Sequence, residues 1–445
     1  MKKFHLLSAM LLLLSSMQLA QAQNIEFSEF DLENGLHVIL YTDNSSPNVT
    51  VGVHYNVGSK NEDPKLTGFA HFFEHLMFEG TEYIGRGEYM KMIENAGGTL
   101  NAYTNVDKTY YYETIPSNQL ELALWMESER MFHAKVDSIG IATQKRVVAE
   151  EKKQRYDSQP YGDWQKLIME RAFHVHPYSW PTIGDVDKLM EAKDSNFVDF
   201  YETYYVPNNA CLIIAGDINK DKVKAMVEKY FDDIPRGTKH MHRPTEIEPP
   251  LTQEICDTVY RDVQIPAVIQ AYRVPEDSNS DTYALTMLNQ LLSAGNSSRL
   301  HRKLVDENQL ALQISAGNFG YQDPSVLAIL GLTSVNVDPK TLNNAIDAQI
   351  KNVQENLISE HEFEKLRNQI ESSTVNGYRK VSTIADKLGD CYTYYHNTNR
   401  INEEEDELLS VTREDIQRVA RKYLTPNNRI VLYYLPKSMN PTAAE

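Results

Sequence analysis

The sequence repeats one distinctive segment near the end of each half, and this repeat constrains the fold more than any other feature. YYVPNNACLIIAGD spans 204–217, and KYLTPNNRIVLYYLP spans 422–436. In both copies a helical stretch that ends in Tyr precedes a Pro-Asn-Asn turn, and an apolar strand follows the turn. A segment that recurs in this way indicates an internal repeat of one structural unit. We therefore expect two copies of one unit in the chain.

Within each half, the apolar residues follow strand periods in some segments and helix periods in others. An alternating pattern over 49–57 predicts a half-buried strand, and a shorter strand is predicted over 35–41. Helical patterns cover 86–95, 118–134 and 139–156, with a strand pair inside 99–115. Strands and helices grouped in runs favour the α+β class. The prediction is two homologous α/β-layered domains, each a largely antiparallel sheet with helices packed on one face.

A polar segment separates the two halves. IPRGTKHMHRPTEIEPPL, residues 234–251, is rich in proline and charge and poor in apolar residues, which is typical of a linker. We place the boundary near Lys239. This gives an N-terminal domain over 23–238 and a homologous C-terminal domain over 239–445.

The first 22 residues have the composition of a secretory signal peptide. Lys2 and Lys3 form a positive start, an apolar run covers 6–14, and Ala20-Gln21-Ala22 resembles a small-residue cleavage site. The alternative is a retained membrane anchor, but the run is shorter than the roughly 20 apolar residues that span a bilayer. No later segment is apolar enough to span. We expect cleavage after Ala22 and a protein that is periplasmic or secreted.

The charge balance restricts the partners. The formal net charge is −18, and loss of Lys2 and Lys3 with the signal segment makes the mature chain still more acidic. An acidic surface repels the phosphates of nucleic acids and of anionic membranes. Neither is therefore expected as a partner.

The three cysteines are an odd number and are widely spaced, with no close pair of the kind found in zinc ribbons or redox motifs. Cys211, Cys256 and Cys391 are predicted to be buried thiols. One disulfide between two of them stays open as an alternative in an oxidising compartment.

One segment has the spacing of a metal-binding helix. In GFAHFFEHLMFEGT, residues 68–81, His71 and His75 lie one helical turn apart on one face, and Glu74 lies beside them. Zinc in hydrolases takes three protein ligands and a water molecule, whose proton a nearby carboxylate must accept. The order of these residues is the reverse of the common zinc-peptidase helix motif. We expect two zinc ligands and a general base here.

A third ligand is predicted on the helix that contains VVAEEKK. Glu151 shares an apolar-leaning stripe with Gln144, Val147 and Val148, whereas Glu150 lies on a charged face. A carboxylate on an inward stripe is costly unless it meets a cation, so Glu151 is the preferred ligand. A rotated helix would reverse this choice.

Together these segments resemble one family. HFFEHLMFEGT, GGTLNAYTNVDKTYYY and the VVAEE helix about 75 residues downstream look like the active half of the pitrilysin/insulinase peptidases. HPYSWPTIGD at 176–185 and the repeated Pro-Asn-Asn strands extend the similarity over nearly the whole mature chain.

The resemblance implies roles for particular residues. His71, His75 and Glu151 would hold one Zn²⁺ per chain, and Glu74 would activate water. The family's Asn-Ala segment, here Asn101 and Ala102, would lie on an edge strand that pairs with the backbone of an extended substrate.

The sequence departs from the family pattern at two places. Gln144 stands where members often carry a glutamate that supports the metal ligands without binding the metal itself. Val305 and Leu312 stand where members often carry an arginine and a tyrosine that hold substrate. Family enzymes enclose substrate between two such two-domain units. The missing pair therefore predicts a heterodimer with a zinc-less homologous subunit, and a homodimer is the alternative.

The predicted function is that of a zinc metalloendopeptidase that hydrolyses short or unfolded peptides through metal-activated water. The alternative is a non-catalytic scaffold or peptide-binding subunit of a pitrilysin-type complex, since the resemblance also covers inactive members. The intact set of His71, Glu74, His75 and Glu151 favours the enzyme.

Overall fold

The computed structural model describes residues 24–441. The predicted signal peptide and its cleavage site lie outside the described residues. Within 24–441, none of the helices is both long enough and apolar enough to cross a bilayer.

The first half of the chain forms a six-stranded sheet. Its order is β1-β2-β6-β3-β5-β4, and every neighbouring pair is antiparallel except β2 and β6. The strands are β1 (Phe27–Asp31), β2 (His37–Thr42), β3 (Asn48–Tyr55), β4 (Thr99–Thr104), β5 (Thr109–Pro116) and β6 (Ala210–Gly216). Strand β4 is therefore an edge strand, paired on one side only.

The second half forms a five-stranded sheet in the order β7-β11-β8-β10-β9, with one parallel pair, β7 and β11. The strands are β7 (Ile255–Arg261), β8 (Ala267–Val274), β9 (Ala311–Asn318), β10 (Ser325–Thr333) and β11 (Arg429–Pro436). This order repeats that of β2-β6-β3-β5-β4, with β6 and β11 in equivalent positions. Both are the strands that follow the Pro-Asn-Asn turns, so the sequence repeat corresponds to a structural repeat.

Helices lie between the strands in both halves. In the first half they are α1 (Phe69–Leu76), α2 (Tyr89–Asn95), α3 (Leu120–His133), α4 (Ser138–Lys152), α5 (Trp164–Ala172), α6 (Val186–Glu191), α7 (Asp194–Tyr204) and α8 (Lys220–Phe231). In the second half they are α9 (Thr282–Ser293), α10 (Pro339–Glu355), α11 (Glu360–Gly377), α12 (Val381–Tyr395), α13 (Arg400–Ser410) and α14 (Arg413–Tyr423). The α+β class is confirmed.

The two faces of the first sheet are covered from different halves of the chain. Helices of the first half pack on the face that carries Val38, Val51 and Leu212. The opposite face, with Ile39 and Ile213, is covered by α12 of the second half. Successive strand residues point to opposite faces, so a strand that is apolar at every position is buried on both. The continuous apolar run of β6 follows from this double cover.

The second sheet is covered in the reciprocal way. Helices α9, α10 and α14 pack on one face, while α5 of the first half packs on the other through Leu167 and Ile168. Thus α12 of the second half packs on the first sheet, and α5 of the first half packs on the second sheet. The sequence did not predict that α5 and α12 pack on the sheet of the other half. A helical period identifies the apolar face of a helix but not the sheet against which that face packs.

The predicted linker is an extended coil that is fixed to the first half. Arg243 donates to the carbonyl of Asn56 at 2.5 Å, and it also contacts the side chain of Asn209. Glu248 accepts hydrogen bonds from three successive backbone N–H groups, those of residues 174–176, at 2.8–3.0 Å. Polar and charged residues in this segment therefore bind the backbone of the first half. The boundary at Lys239 stays a prediction.

One prediction about the cysteines is wrong. Cys211 and Cys391 are buried, as expected, but Cys256 is exposed, and all three are free thiols. Cys256 lies on β7, an edge strand whose side chains alternate between partly covered and exposed positions. The count and spacing of the cysteines carried no information about this alternation.

Candidate active site

Helix α1 presents the two histidines because its other side is buried. Phe69, Phe72 and Phe73 pack against Phe197 and neighbouring rings of α7, with centroid separations of 4.5–4.6 Å in the closest pairs. An aromatic core of this size fixes the rotation of the helix. The face with His71 and His75 is left to point towards α4.

The beginning of α1 is held by a buried carboxyl group. Glu62 accepts hydrogen bonds from the backbone N–H groups of Gly68 at 2.9 Å and Ala70 at 2.8 Å. These are among the N–H groups that have no partner within a helix. The backbone hydrogen bonds lower the pKa of Glu62, but the opposite effect of burial is larger, and the pKa is raised to about 8. Glu62 thereby fixes the end of the helix nearest His71.

Three of the predicted site residues converge. His71 Nε2 lies 3.3 Å from His75 Nε2, and Glu151 Oε2 lies 3.0 Å from His75 Nε2 and 3.5 Å from His71 Nε2. Zn–N and Zn–O distances of about 2.0–2.1 Å in a tetrahedral site imply donor separations of roughly 3.3 Å. Glu151 Oε2 is buried without a hydrogen-bond donor. The donor set and its spacing therefore fit a zinc ion.

The protonation states also suit metal binding. Burial, followed by the nearby His75, lowers the pKa of His71 to about 4, so its imidazole is neutral at physiological pH. The close approach of His75 Nε2 holds the pKa of Glu151 below its usual range. Neutral imidazole and ionised carboxylate are the forms that bind metals.

Glu74 lies next to this group on the same helix but outside it. Burial raises its pKa, while a hydrogen bond with Thr104 and the nearby His75 lower it. Thr104 is the last residue of β4. Thus α1 supplies the candidate base, and β4 supplies the group that orients it.

Two residues near the site escaped the sequence analysis. The chain continues from α4 into a π-helical turn, Lys153–Asp157, and such turns are frequent at functional sites. Arg155 Nη1 contacts Glu151 Oε1 at 2.8 Å although the arginine side chain is 75% exposed. The pKa of Tyr156 is raised by burial and then by Glu151. The spacing of Glu151 and Arg155, one helical turn, was the available signal.

Gln144 and Glu150 occupy different surroundings. The Gln144 amide donates to Glu79 at 2.6 Å, and Glu79 pairs with Arg86 at 2.8 Å. Gln144 lies two turns before Glu151 on α4, and its contact is with Glu79, which lies just beyond the C-terminal end of α1. Glu150 is exposed and Glu151 is partly buried, although Val147 of the predicted apolar stripe is also exposed.

Asn101 and Ala102 lie on the edge strand β4, opposite Tyr112 and Tyr111 of β5. Asn101 is exposed and Ala102 is half-buried. Among residues 24–441, no strand pairs with the other edge of β4. An unpaired edge of this kind can add an extended peptide.

Val305 and Leu312 belong to the second half and are remote from the histidines in sequence. Val305 lies in a π-helical segment, His301–Glu307, and Leu312 is on the edge strand β9 with half of its side chain exposed. Neither side chain can donate a hydrogen bond to a substrate carbonyl.

Comparison with known proteins assigns the family. Residues 37–186 match the family model described as insulinase (peptidase family M16), and residues 195–370 match the one described as the peptidase M16 inactive domain. The chain belongs to the pitrilysin/insulinase family. Glu74 and its three neighbours all fall in the first matched range. The matched ranges together cover most of the chain.

Individual relatives agree with this assignment. A zinc protease of Helicobacter pylori is 29% identical over 432 residues, which is 96% of this chain and 97% of the relative. A crystal structure of a Helicobacter pylori protease superposes with a TM-score of 0.89 at 28% identity, covering 93% of this chain and all of the other. The periplasmic protease PqqL of Escherichia coli, at 17% identity and a TM-score of 0.76, shares the fold over 95% of this chain but only 50% of its own length.

Proposed function

We propose that the protein is a zinc-dependent endopeptidase that hydrolyses short or unfolded peptides. The observation that carries this proposal is the convergence of His71, His75 and Glu151 at tetrahedral donor spacing, with Glu74 beside them. The zinc-protease names of its relatives agree with it.

His71, His75 and Glu151 would hold the zinc ion, one per chain. The bound ion supplies a Lewis acid for the scissile carbonyl and lowers the pKa of water to about 7. Glu74 takes a proton from the attacking water at its carboxylate while the hydroxyl oxygen bonds to the carbonyl carbon. The same carboxyl group then gives that proton to the amine nitrogen as the C–N bond breaks. Thr104, at the end of β4, lies close enough to Glu74 to favour its ionised, proton-accepting form.

Strand β4 would align the substrate. Backbone groups of Asn101 and Ala102 at its unpaired edge can form a ladder with an extended peptide, so affinity depends on the main chain rather than on particular side chains. A folded protein cannot offer such a strand from its interior. The substrate class therefore is extended peptide.

The assembly and the compartment complete the proposal. The catalytic domain would cover 23–238 and the second domain 239–445, with the signal peptide cleaved after Ala22 and the protein periplasmic or secreted. PqqL, which is described as periplasmic, is twice the length of the matched unit. Because Val305 and Leu312 cannot hold a carbonyl, a zinc-less homologous subunit would supply the missing groups, and a homodimer is the alternative.

The test measures cleavage of a mixed library of unstructured peptides by the mature protein with zinc. Glu74→Gln should lose about 10²–10⁴-fold in kcat, the usual contribution of a general base, while it retains zinc. Glu151→Gln should lose zinc itself, and Glu150→Gln is its matched control because Glu150 is the exposed neighbour on the same helix.

Each variant is assayed alone and with the protein encoded next to it. Dependence of cleavage on that neighbour would support the heterodimer, and cleavage by the chain alone would support the homodimer. If zinc binds but no peptide is cleaved under either condition, the peptidase proposal fails and the scaffold alternative replaces it.

A further inference from the structure

Strand β4 is held on both of its faces. Thr104 lies on the face of β4 towards helix α1, which carries Glu74. Tyr103, one residue earlier, points to the opposite face because side chains alternate along a strand. Its hydroxyl donates to the two carboxylate oxygens of Asp386 at 2.8 and 3.0 Å. Asp386 lies on α12, the helix of the second half that packs on the first sheet.

The turn that follows β4 is tied to the same helix. Lys108 is almost fully buried, and its ammonium group donates to Asp386 at 2.9 Å and also contacts Asp390, one helical turn further along α12. The Lys108 nitrogen lies 4.9 Å from the centre of the Tyr103 ring. Two residues of the β4–β5 hairpin thus meet two carboxylates of one helix.

A buried histidine of β3 also contacts Asp386. His54 on β3 is fully buried, and its Nε2 lies 3.0 Å from Asp386. A Cβ atom at Gly389 would lie 2.7 Å from His54 Nε2, so only glycine leaves room for the ring against α12. This close approach brings Asp386 within reach of Tyr103.

His54, Asp386 and Asp390 could in principle hold a metal ion, since their donor atoms lie within 4.8 Å of one another. The Lys108 ammonium, however, is already in contact with both carboxylates. It supplies the positive charge that a cation would otherwise provide. The cluster is therefore an ion-paired contact between strand and helix.

We propose that Asp386 is a positioning residue for the substrate: through Tyr103 it sets where the edge strand β4 lies relative to Glu74. This inference rests on the proposed function, because β4 is the strand that would pair with the peptide. The second half, which contributes none of the three candidate ligands, thereby controls how a peptide is placed over the base. A hydrogen bond to a charged acceptor is strong enough for its loss to be measurable.

The experiment compares Asp386→Asn, Tyr103→Phe and the double variant, all in the Glu74→Gln background so that a bound peptide is not cleaved. The probe is a fluorescein-labelled unstructured peptide that the wild type cleaves. Tyr392→Phe is the matched control, since it removes a hydroxyl from the same helix at a side chain that stacks on His37 instead. Zinc affinity is measured by competition with a chelator, and hydrogen exchange is measured for residues 99–104.

We expect the peptide Kd to rise about tenfold in Asp386→Asn and severalfold in Tyr103→Phe. The Kd of the double variant should not exceed that of the single variant that binds the peptide more weakly. Zinc affinity stays within twofold, exchange in 99–104 becomes faster, and Tyr392→Phe changes none of these values. Independent effects that multiply in the double variant would overturn the inference. So would unchanged exchange in Asp386→Asn, or a fall in zinc affinity that matches the fall in peptide affinity.

The exchange measurement keeps this test separate from that of the proposed function. Absence of cleavage by the wild type would refute the peptidase proposal whatever the variants do. The tie between Asp386 and β4 is judged by exchange in 99–104 even if no peptide binds.

Discussion

Leu388 tests whether the two halves of the chain fold as one unit. It belongs to α12 in the second half, is fully buried, and packs on the first sheet against residues such as Ile39 and Ile213. Leu388→Ala removes three carbon atoms, worth roughly 2 kcal/mol at about 0.8 kcal/mol each. The cavity that remains adds to this, so we expect a loss of about 3–4 kcal/mol in the free energy of unfolding.

Tryptophan fluorescence during denaturation with guanidinium chloride is the assay. Of the three tryptophans, Trp125 and Trp180 contact residues of the first half, whereas Trp164 lies on α5 and packs against the second sheet. If the exchanged helices couple the halves, Leu388→Ala lowers the midpoint of the tryptophan transition. Leu292→Ala, an equally buried leucine in the second half's own core, should lower it by a similar amount. An unchanged tryptophan transition in both variants, with a separate second transition seen by circular dichroism, would refute the coupling.

Three further predictions concern single groups. Arg155→Ala should weaken zinc binding about tenfold by releasing the second oxygen of Glu151, as supporting contacts usually do; unchanged affinity in a chelator competition would contradict this. Burial raises the pKa of Glu62 from 4.5 to about 8. Between these pH values Glu62 is protonated in the folded state and ionised in the unfolded state. The free energy of unfolding should therefore fall as the pH rises from about 4.5 to 8. Glu62→Gln should flatten that part of the stability profile, measured by urea denaturation at several pH values, and an identical slope in both proteins would exclude it. Of the three free thiols, only that of Cys256 should react quickly with a thiol reagent in the native protein; rapid reaction of a second thiol before denaturant is added would contradict the burial of the other two.

The candidate site was largely predictable because its chemistry is local. Residues one turn apart on a helix share a face, so the sequence alone placed His71 beside His75. The amphipathic period of α4 separated Glu151 from the exposed Glu150. Only the meeting of α1 with α4 required the fold, and the resemblance to a known family supplied it.

Contacts made by residues far apart in sequence were not predictable. Tyr103 and Asp386 are separated by 283 residues, and no period or motif relates them. The helical pattern over 139–156 predicts that the helix continues through Arg155, because nothing in that pattern distinguishes a π-helical turn from an α-helical one. Exposure of Cys256 likewise depends on an edge strand whose neighbour lies more than 170 residues later.

The exchange of helices also has a consequence for synthesis. The outer face of the first sheet, with Ile39 and Ile213, is covered by a helix that begins only at Val381. At about 5–20 residues per second, a ribosome needs roughly 10–30 s to reach α12 after it has made β6. During that interval the growing chain exposes an apolar sheet face that nothing yet made can cover. The first half therefore cannot complete its structure before nearly the whole chain has been translated.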